Sequence, residues 1–207
     1  NVHGQDWGLA GFSPHGLVRS GFRTFIDMLR AGFRHAGGLR IDHVLGLMRL
    51  WLVPHGATPA EGGYVSYPLD DLLRLVALES WRHRGIVVGE DLGTVAPGFG
   101  DKLAARGILG MRVLWFEQDD DANFLPARQW SNSAMATTST HDLPSVAGWW
   151  AGRDIDWRSR LGLLGEDQDA DDERRARGAA RARLAGTLEL LGHATPRPET
   201  LEASDWD

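Results

Sequence analysis

Short apolar runs that close on charged residues recur along this chain, and between them the apolar residues switch to helical spacing. The first run is Leu39-Arg40-Ile41-Asp42-His43. Side chains on a strand alternate faces, so Arg40 and Asp42 share one face while Leu39 and Ile41 share the other. A guanidinium beside a carboxylate fixes the orientation of the acid, as a nucleophilic carboxylate requires, although the same pair also serves as a plain structural ion pair. The second run, Gly85 to Asp91, closes on Glu90 and Asp91; the third, Met111 to Glu117, closes on an acid; the fourth, Met135 to Asp142, closes on His141-Asp142. Ahead of the first run, Val18, Phe22, Phe25, Ile26, Leu29 and Phe33 follow three- and four-residue spacing, which predicts one amphipathic helix over Leu17 to His35, ended by Gly37-Gly38. Ahead of the second, Leu69, Leu72, Leu73, Val76 and Ser80 trace a helix reaching about His83, with Pro68 in its first turn. A short helix over Phe99 to Ala105 precedes the third run. Pro144 ends the fourth and opens a helix with Trp149 and Trp150.

Helices alternating with apolar strands predict a parallel sheet. Polar strand ends, with long loops on that same end, fit a (β/α)8 TIM-type barrel, with about four strands recognisable here. An open doubly wound sheet is the alternative, but no G-x-G-x-x-G or phosphate loop follows any strand. Residues 1–14 read as a glycine-rich loop, and residues 55–67 as a second long loop. In a charged helix over 167–192, Asp171 and Glu173 stand four positions before Arg175 and Arg177, a spacing for surface ion pairs. The expected division is the strand-helix alternation over 1–160 and a charged helical segment with a frayed tail over 161–207.

A net charge of −6 gives no basic surplus for nucleic acid. No apolar run approaches the roughly 18 residues of a membrane span. The start is not a signal peptide, and Asn1 stands where a Met would open a complete chain, so an upstream segment is expected in which any targeting sequence would lie. The absence of cysteine excludes disulfides and thiolate metal sites and is compatible with a reducing, cytoplasmic setting. No cofactor motif is present. Nine tryptophans against two tyrosines supply flat apolar faces suited to sugar rings, with most expected in the core. On the first loop, Gln5 and Trp7 would present an amide and a ring to a ligand.

Asp42, Glu90 and Asp142 thus occupy equivalent strand-end positions. If Asp42 and Glu90 stand on neighbouring strands, their carboxyl groups approach to roughly 5–5.5 Å, the separation of a retaining glycosidase pair. Asp91, next to Glu90, points to the opposite face and suits a structural hydrogen bond. Glu117 matches no catalytic position and is a subsite residue at most, and His35 and His43 read as supporting or core histidines.

The segments Gly4-Gln5-Asp6-Trp7-Gly8, Leu39 to His43, Gly89-Glu90-Asp91-Leu92-Gly93-Thr94 and Ser139-Thr140-His141-Asp142-Leu143-Pro144 resemble, in order and spacing, motifs of the 4-α-glucanotransferases (amylomaltases), relatives of the α-amylases. The resemblance covers about residues 4–160. It implies transfer of α-1,4-glucan segments between maltodextrins, with Asp42 as nucleophile, Glu90 as general acid/base and Asp142 as transition-state stabiliser. Arg40 would orient Asp42, His141 would contact the donor sugar, and Gln5 and Trp7 would line the acceptor side. Asp6 departs from the pattern, standing where asparagine or another polar residue is more familiar. The family's barrel is longer, so the resemblance implies that residues 1–160 are a partial catalytic barrel, only the later part from after the third strand, with residues 1–14 as its acceptor-side loop.

Three other readings draw on the same residues. A metal-dependent hydrolase would use Asp42-His43 and His141-Asp142 as ligands, but no H-x-H or H-E-x-x-H spacing is present. An α-1,4-glucan hydrolase shares the glycosyl-enzyme and differs only in letting water attack it. An incomplete barrel would bind glucan at most, with unpaired strand edges.

Overall fold

The computed structural model describes residues 6–165 and 168–193. Gln5 and the tail over 194–207, expected to be frayed, lie outside the described residues. The chain divides into two compact units, residues 1–111 with 133–135 and residues 112–132 with 136–207.

The first unit opens with α1 (Pro14–Arg19) and α2 (Arg23–Phe33), where the sequence predicts one helix. Gly21 takes a left-handed φ of 59°, and the Phe22 amide reaches back to the Leu17 carbonyl at 2.7 Å, a hydrogen bond that closes α1 and turns the chain. The apolar spacing still selects the core: Leu17, Phe25, Leu29 and Phe33 are buried, whereas Val18 is exposed. Strand β1 (Gly38–Ile41) follows, then β2 (Arg49–Leu52), β3 (Gly63–Ser66), α3 (Leu69–His83), β4 (Ile86–Gly89) and α4 (Phe99–Ala104). On α3, Leu72, Leu73 and Val76 are fully buried against the α2 residues, each worth about 1.5–3 kcal/mol.

Strands β1 and β4 pair in parallel, from Gly38 opposite Ile86 to Ile41 opposite Gly89. The ladder continues on the far side of β4, where the Gly89 amide donates to the Leu109 carbonyl at 2.8 Å and the Leu109 amide to the Val87 carbonyl at 2.9 Å. Beside it, the Gly110 amide donates to the Ser133 carbonyl at 3.0 Å. These contacts lead into β5 (Gly110–Val113) and β6 (Ala134–Thr137), which pair with each other. Both are shorter than the apolar runs suggest, since β5 passes into a 3-10 turn over Leu114–Phe116.

The stretch read as a long loop over 55–67 holds a strand instead. Strands β2 and β3 form an antiparallel hairpin, with Trp51 opposite Tyr64 and their rings edge to face at 5.1 Å. A 3-10 turn over Pro59–Glu61 joins them, and Glu61 Oε2 accepts both the amide and the hydroxyl of Thr58, each at 2.8 Å. The glycine-rich composition hid the hairpin, because Gly62 lies where a Cβ would sit 2.4 Å from Trp51 Nε1 and only glycine lets the backbone approach.

The second unit contains α5 (Val146–Ala151), α6 (Arg153–Arg160) and α7 (Ala170–Leu190) around Phe124, Trp149, Trp150 and Leu184. The ion pairs expected between Asp171 and Arg175 and between Glu173 and Arg177 do not form. Arg177 turns to α6 and clasps Asp154 with two hydrogen bonds of 2.9 and 2.8 Å, while Glu173 pairs with Arg158. Helix α7 therefore docks one face, burying Leu184 and Ala185, where the charge pattern suggested a solvated surface. Of the tryptophans, Trp149 and Trp150 are core residues, whereas Trp7, Trp81 and Trp157 are exposed. Among the described residues no helix is long and apolar enough to cross a membrane.

Candidate active site

The parallel register of β1 and β4 builds the first half of the site. Past the last strand pair, the Glu90 amide donates to the Ile41 carbonyl at 2.9 Å and the Val44 amide to the Glu90 carbonyl at 3.0 Å. Asp42 and Glu90 therefore take the next positions on adjoining strands, whose backbones run about 4.8 Å apart. Arg40 Nη1 lies 2.6 Å from Asp42 Oδ1, the pairing expected from alternation. The Asp42 side chain stays 57% exposed, so the ion pair leaves its other oxygen open to a ligand.

Glu90 is held differently. Its Oε2 accepts the His43 amide and its Oε1 the Leu92 amide, both at 2.8 Å. Each oxygen keeps a second acceptor position. His43 adopts a left-handed φ of 44° as the chain leaves β1, and its ring meets the Trp7 ring edge to face at 5.3 Å. The histidine read as supporting or core thus supports Glu90 through its backbone, while its side chain seats Trp7. Asp91 lies behind Glu90, where its Oδ1 accepts the Met111 amide at 2.7 Å, as the strand alternation implied.

In the second unit His141 and Asp142 follow β6 on a turn, several residues beyond the end of the strand. His141 Nε2 lies 3.3 Å from Asp142 Oδ2, and the Asp142 amide donates to Thr140 Oγ1 at 3.3 Å. The Ser139 hydroxyl donates to the Pro144 carbonyl at 2.7 Å and closes the turn, leaving both site side chains exposed. Glu117 approaches Arg112 at 3.8 Å. The structure thus gathers Arg40, Asp42, Glu90 and Trp7 in the first unit and His141 with Asp142 in the second. Three supports escaped the sequence reading: the His43 and Leu92 backbone amides, and Met111, whose Sδ accepts Arg40 Nε at 3.3 Å. An apolar residue in an apolar run carries no signal of such a role. Among the described residues no group of three His, Cys, Asp or Glu side chains is arranged to hold a metal ion.

Chemically, one carboxylate tied to a guanidinium stands beside another clamped by two backbone amides. Two carboxyl groups on adjoining strands are the arrangement that a double displacement at an acetal carbon calls for.

The family model described as 4-alpha-glucanotransferase matches residues 1–202. The chain is 44% identical over 196 residues to a 4-alpha-glucanotransferase of Mycobacterium tuberculosis, covering 91% of this chain and 27% of that protein. It is also 44% identical over 161 residues to one from Haemophilus influenzae, covering 78% of this chain and 23% of the relative. Among solved structures, amylomaltase from Corynebacterium glutamicum superposes with a TM-score of 0.86 at 35% identity, over 98% of this chain and 29% of that one. Amylomaltase from Streptococcus agalactiae in complex with acarbose shares the fold, with a TM-score of 0.61 at 20% identity, over 81% of this chain and 36% of that one. The chain spans about a quarter of the length of the curated relatives it matches. Over the length it does span, it belongs to the 4-alpha-glucanotransferase family.

Proposed function

We propose that the whole protein transfers α-1,4-glucan segments between maltodextrins, with Asp42 and Glu90 as its reacting pair. The observation that carries this reading is the shared register that sets the two acids side by side, with Arg40 on one and backbone amides on the other. Asp42 Oδ1 is occupied by Arg40, so Oδ2 attacks the anomeric carbon of the donor. Glu90 gives its proton to the departing glycosidic oxygen, and a glycosyl-enzyme forms. The 4-hydroxyl of an acceptor sugar then attacks that intermediate, returns a proton to Glu90 and releases Asp42. Asp142 stabilises the positive charge that develops on the sugar ring, and His141 holds its hydroxyls. Trp7 lines the acceptor side; its exposed ring beside His43 supports that assignment.

The run of parallel contacts from β1 through β4 to Leu109 supports an arc of an eight-stranded barrel, the part proposed for residues 1–160. A cytoplasmic setting fits a chain with no cysteine. Incubation of the whole protein with maltotriose tests the activity. Glucose and longer maltodextrins are expected to form together, with the total number of glycosidic bonds unchanged. Loss of total bonds would indicate hydrolysis and overturn the transfer reading. Asp42→Ala is expected to lower transfer by several orders of magnitude with folding intact, and substantial residual transfer in that variant would remove Asp42 from its role.

A further inference from the structure

We propose that Met111 is a positioning residue for the nucleophile: its thioether fixes the plane of the Arg40 guanidinium, and through it the Asp42 carboxylate. The inference rests on the reading of Asp42 given above. A guanidinium is a flat, rigid fork of donors, so two points held on it determine its orientation. Arg40 is held at two such points, Nε against Met111 Sδ at 3.3 Å and Nη1 against Asp42 Oδ1 at 2.6 Å. The sulfur is itself well placed. Met111 is 2% exposed, and its amide is clamped by Asp91 Oδ1 at 2.7 Å. Asp91 in turn packs against Gly110, where an added Cβ would lie 2.7 Å from Asp91 Oδ2.

The choice of acceptor matters. A second carboxylate at this position would divide the positive charge of Arg40 between two anions. A thioether is a weak, uncharged acceptor, which orients the fork while leaving its charge to Asp42. The line Gly110, Asp91, Met111, Arg40, Asp42 thus links the start of β5 to the reacting carboxylate at the end of β1.

Two substitutions separate this role from simple packing. Met111→Leu conserves volume and removes the acceptor; Met111→Gln keeps an acceptor of similar reach but is the poorer fit to an apolar site. In the whole protein, Met111→Leu is expected to lower kcat for maltotriose disproportionation about tenfold or more, with KM within about twofold, and Met111→Gln to retain the higher kcat of the two. A purely structural role gives the reverse order, with leucine near wild type, and that order overturns the proposal. A second measurement does not depend on activity. With four methionines in the chain, 13C-methyl labelling resolves Met111 once Met111→Leu identifies its signal. Arg40→Lys is expected to shift that signal, whereas an unmoved signal would show that the sulfur does not hold the guanidinium. Full transfer in Asp42→Ala would instead sink the underlying reading, so the two failures are distinct.

Discussion

His43 holds a φ of 44°, and its amide supplies one of the two hydrogen bonds on Glu90. The left-handed region costs an L-residue roughly 1–2 kcal/mol, and a β-branched side chain reaches it least readily. His43→Val is therefore expected to destabilise the protein by about 1–2 kcal/mol and to lower kcat by releasing the Glu90 clamp. His43→Gly, which adopts this conformation freely, should keep kcat within a few fold. Urea midpoints and maltotriose turnover of the two variants provide the check, and equal kcat losses would show that the ring matters more than the backbone. At this scale the sequence was most legible where chemistry and alternation coincide. Arg40 and Asp42 pair as their spacing demands, and Asp91 turns away from Glu90 as a neighbour on a strand must. What stayed hidden was every support given by a backbone amide, since any residue carries one. The sulfur of Met111 was hidden for a similar reason, because its residue type is what an apolar strand would hold anyway.

Helices α2 and α3 meet over a charged group that apolar spacing could not reveal. Glu79 on α3 is fully buried and accepts Arg30 Nε at 2.9 Å, Arg30 Nη2 at 3.0 Å and Arg82 Nη1 at 2.8 Å. Hydrogen bonding from Arg30 holds the Glu79 carboxyl below the usual carboxylate range, against the opposing effect of burial, with Arg82 adding to the lowering. Both arginine side chains are close to half exposed, so water screens the pair and rehydrates them when the acid is removed. Glu79→Gln is accordingly expected to cost about 1–3 kcal/mol at neutral pH. A lowered folded-state value means that this contribution is complete above the unfolded carboxylate value of about 4.3 and fades as the pH falls through the folded one. Urea unfolding of wild type and variant at pH 7 and near pH 3 should show the gap closing; a gap of equal size at both would count against the ion cluster. The β2–β3 hairpin gives a second case. Gly62→Ala would drive a methyl into Trp51 and against the Leu52 carbonyl, at 2.4 and 2.9 Å. It should break the hydrogen bond of 2.9 Å from Trp51 Nε1 to the Pro59 carbonyl, with a shift in tryptophan emission and faster proteolysis between residues 55 and 63 as the readout. Helix α3 and the β1 and β4 strands were legible because their apolar periods are clean, whereas the same period ran across the break at Gly21 between α1 and α2. The hairpin was not legible, because its turn chemistry and its close approach both call for the glycines that ordinarily mark a loop.

At the scale of the whole molecule, the order of strands carries the consequence. Among the described residues β1 pairs with β4 alone, so the strand that delivers Asp42 has one open edge. The Gly37 and Ile41 carbonyls accept amides from Ile86 and Glu90, which fixes the direction of every second peptide along the strand. Leu39 and Ile41 direct their backbone groups toward β4, and Gly38, Arg40 and Asp42 direct theirs away from it. Amide hydrogen exchange should therefore read along five consecutive residues as an alternation, slow at Leu39 and Ile41 and fast at Arg40, for as long as that edge is bare. Slow exchange at Arg40 in the whole protein would mean that a further strand seals the edge, and the timing of its protection during refolding would date the moment at which the strand carrying Asp42 is enclosed.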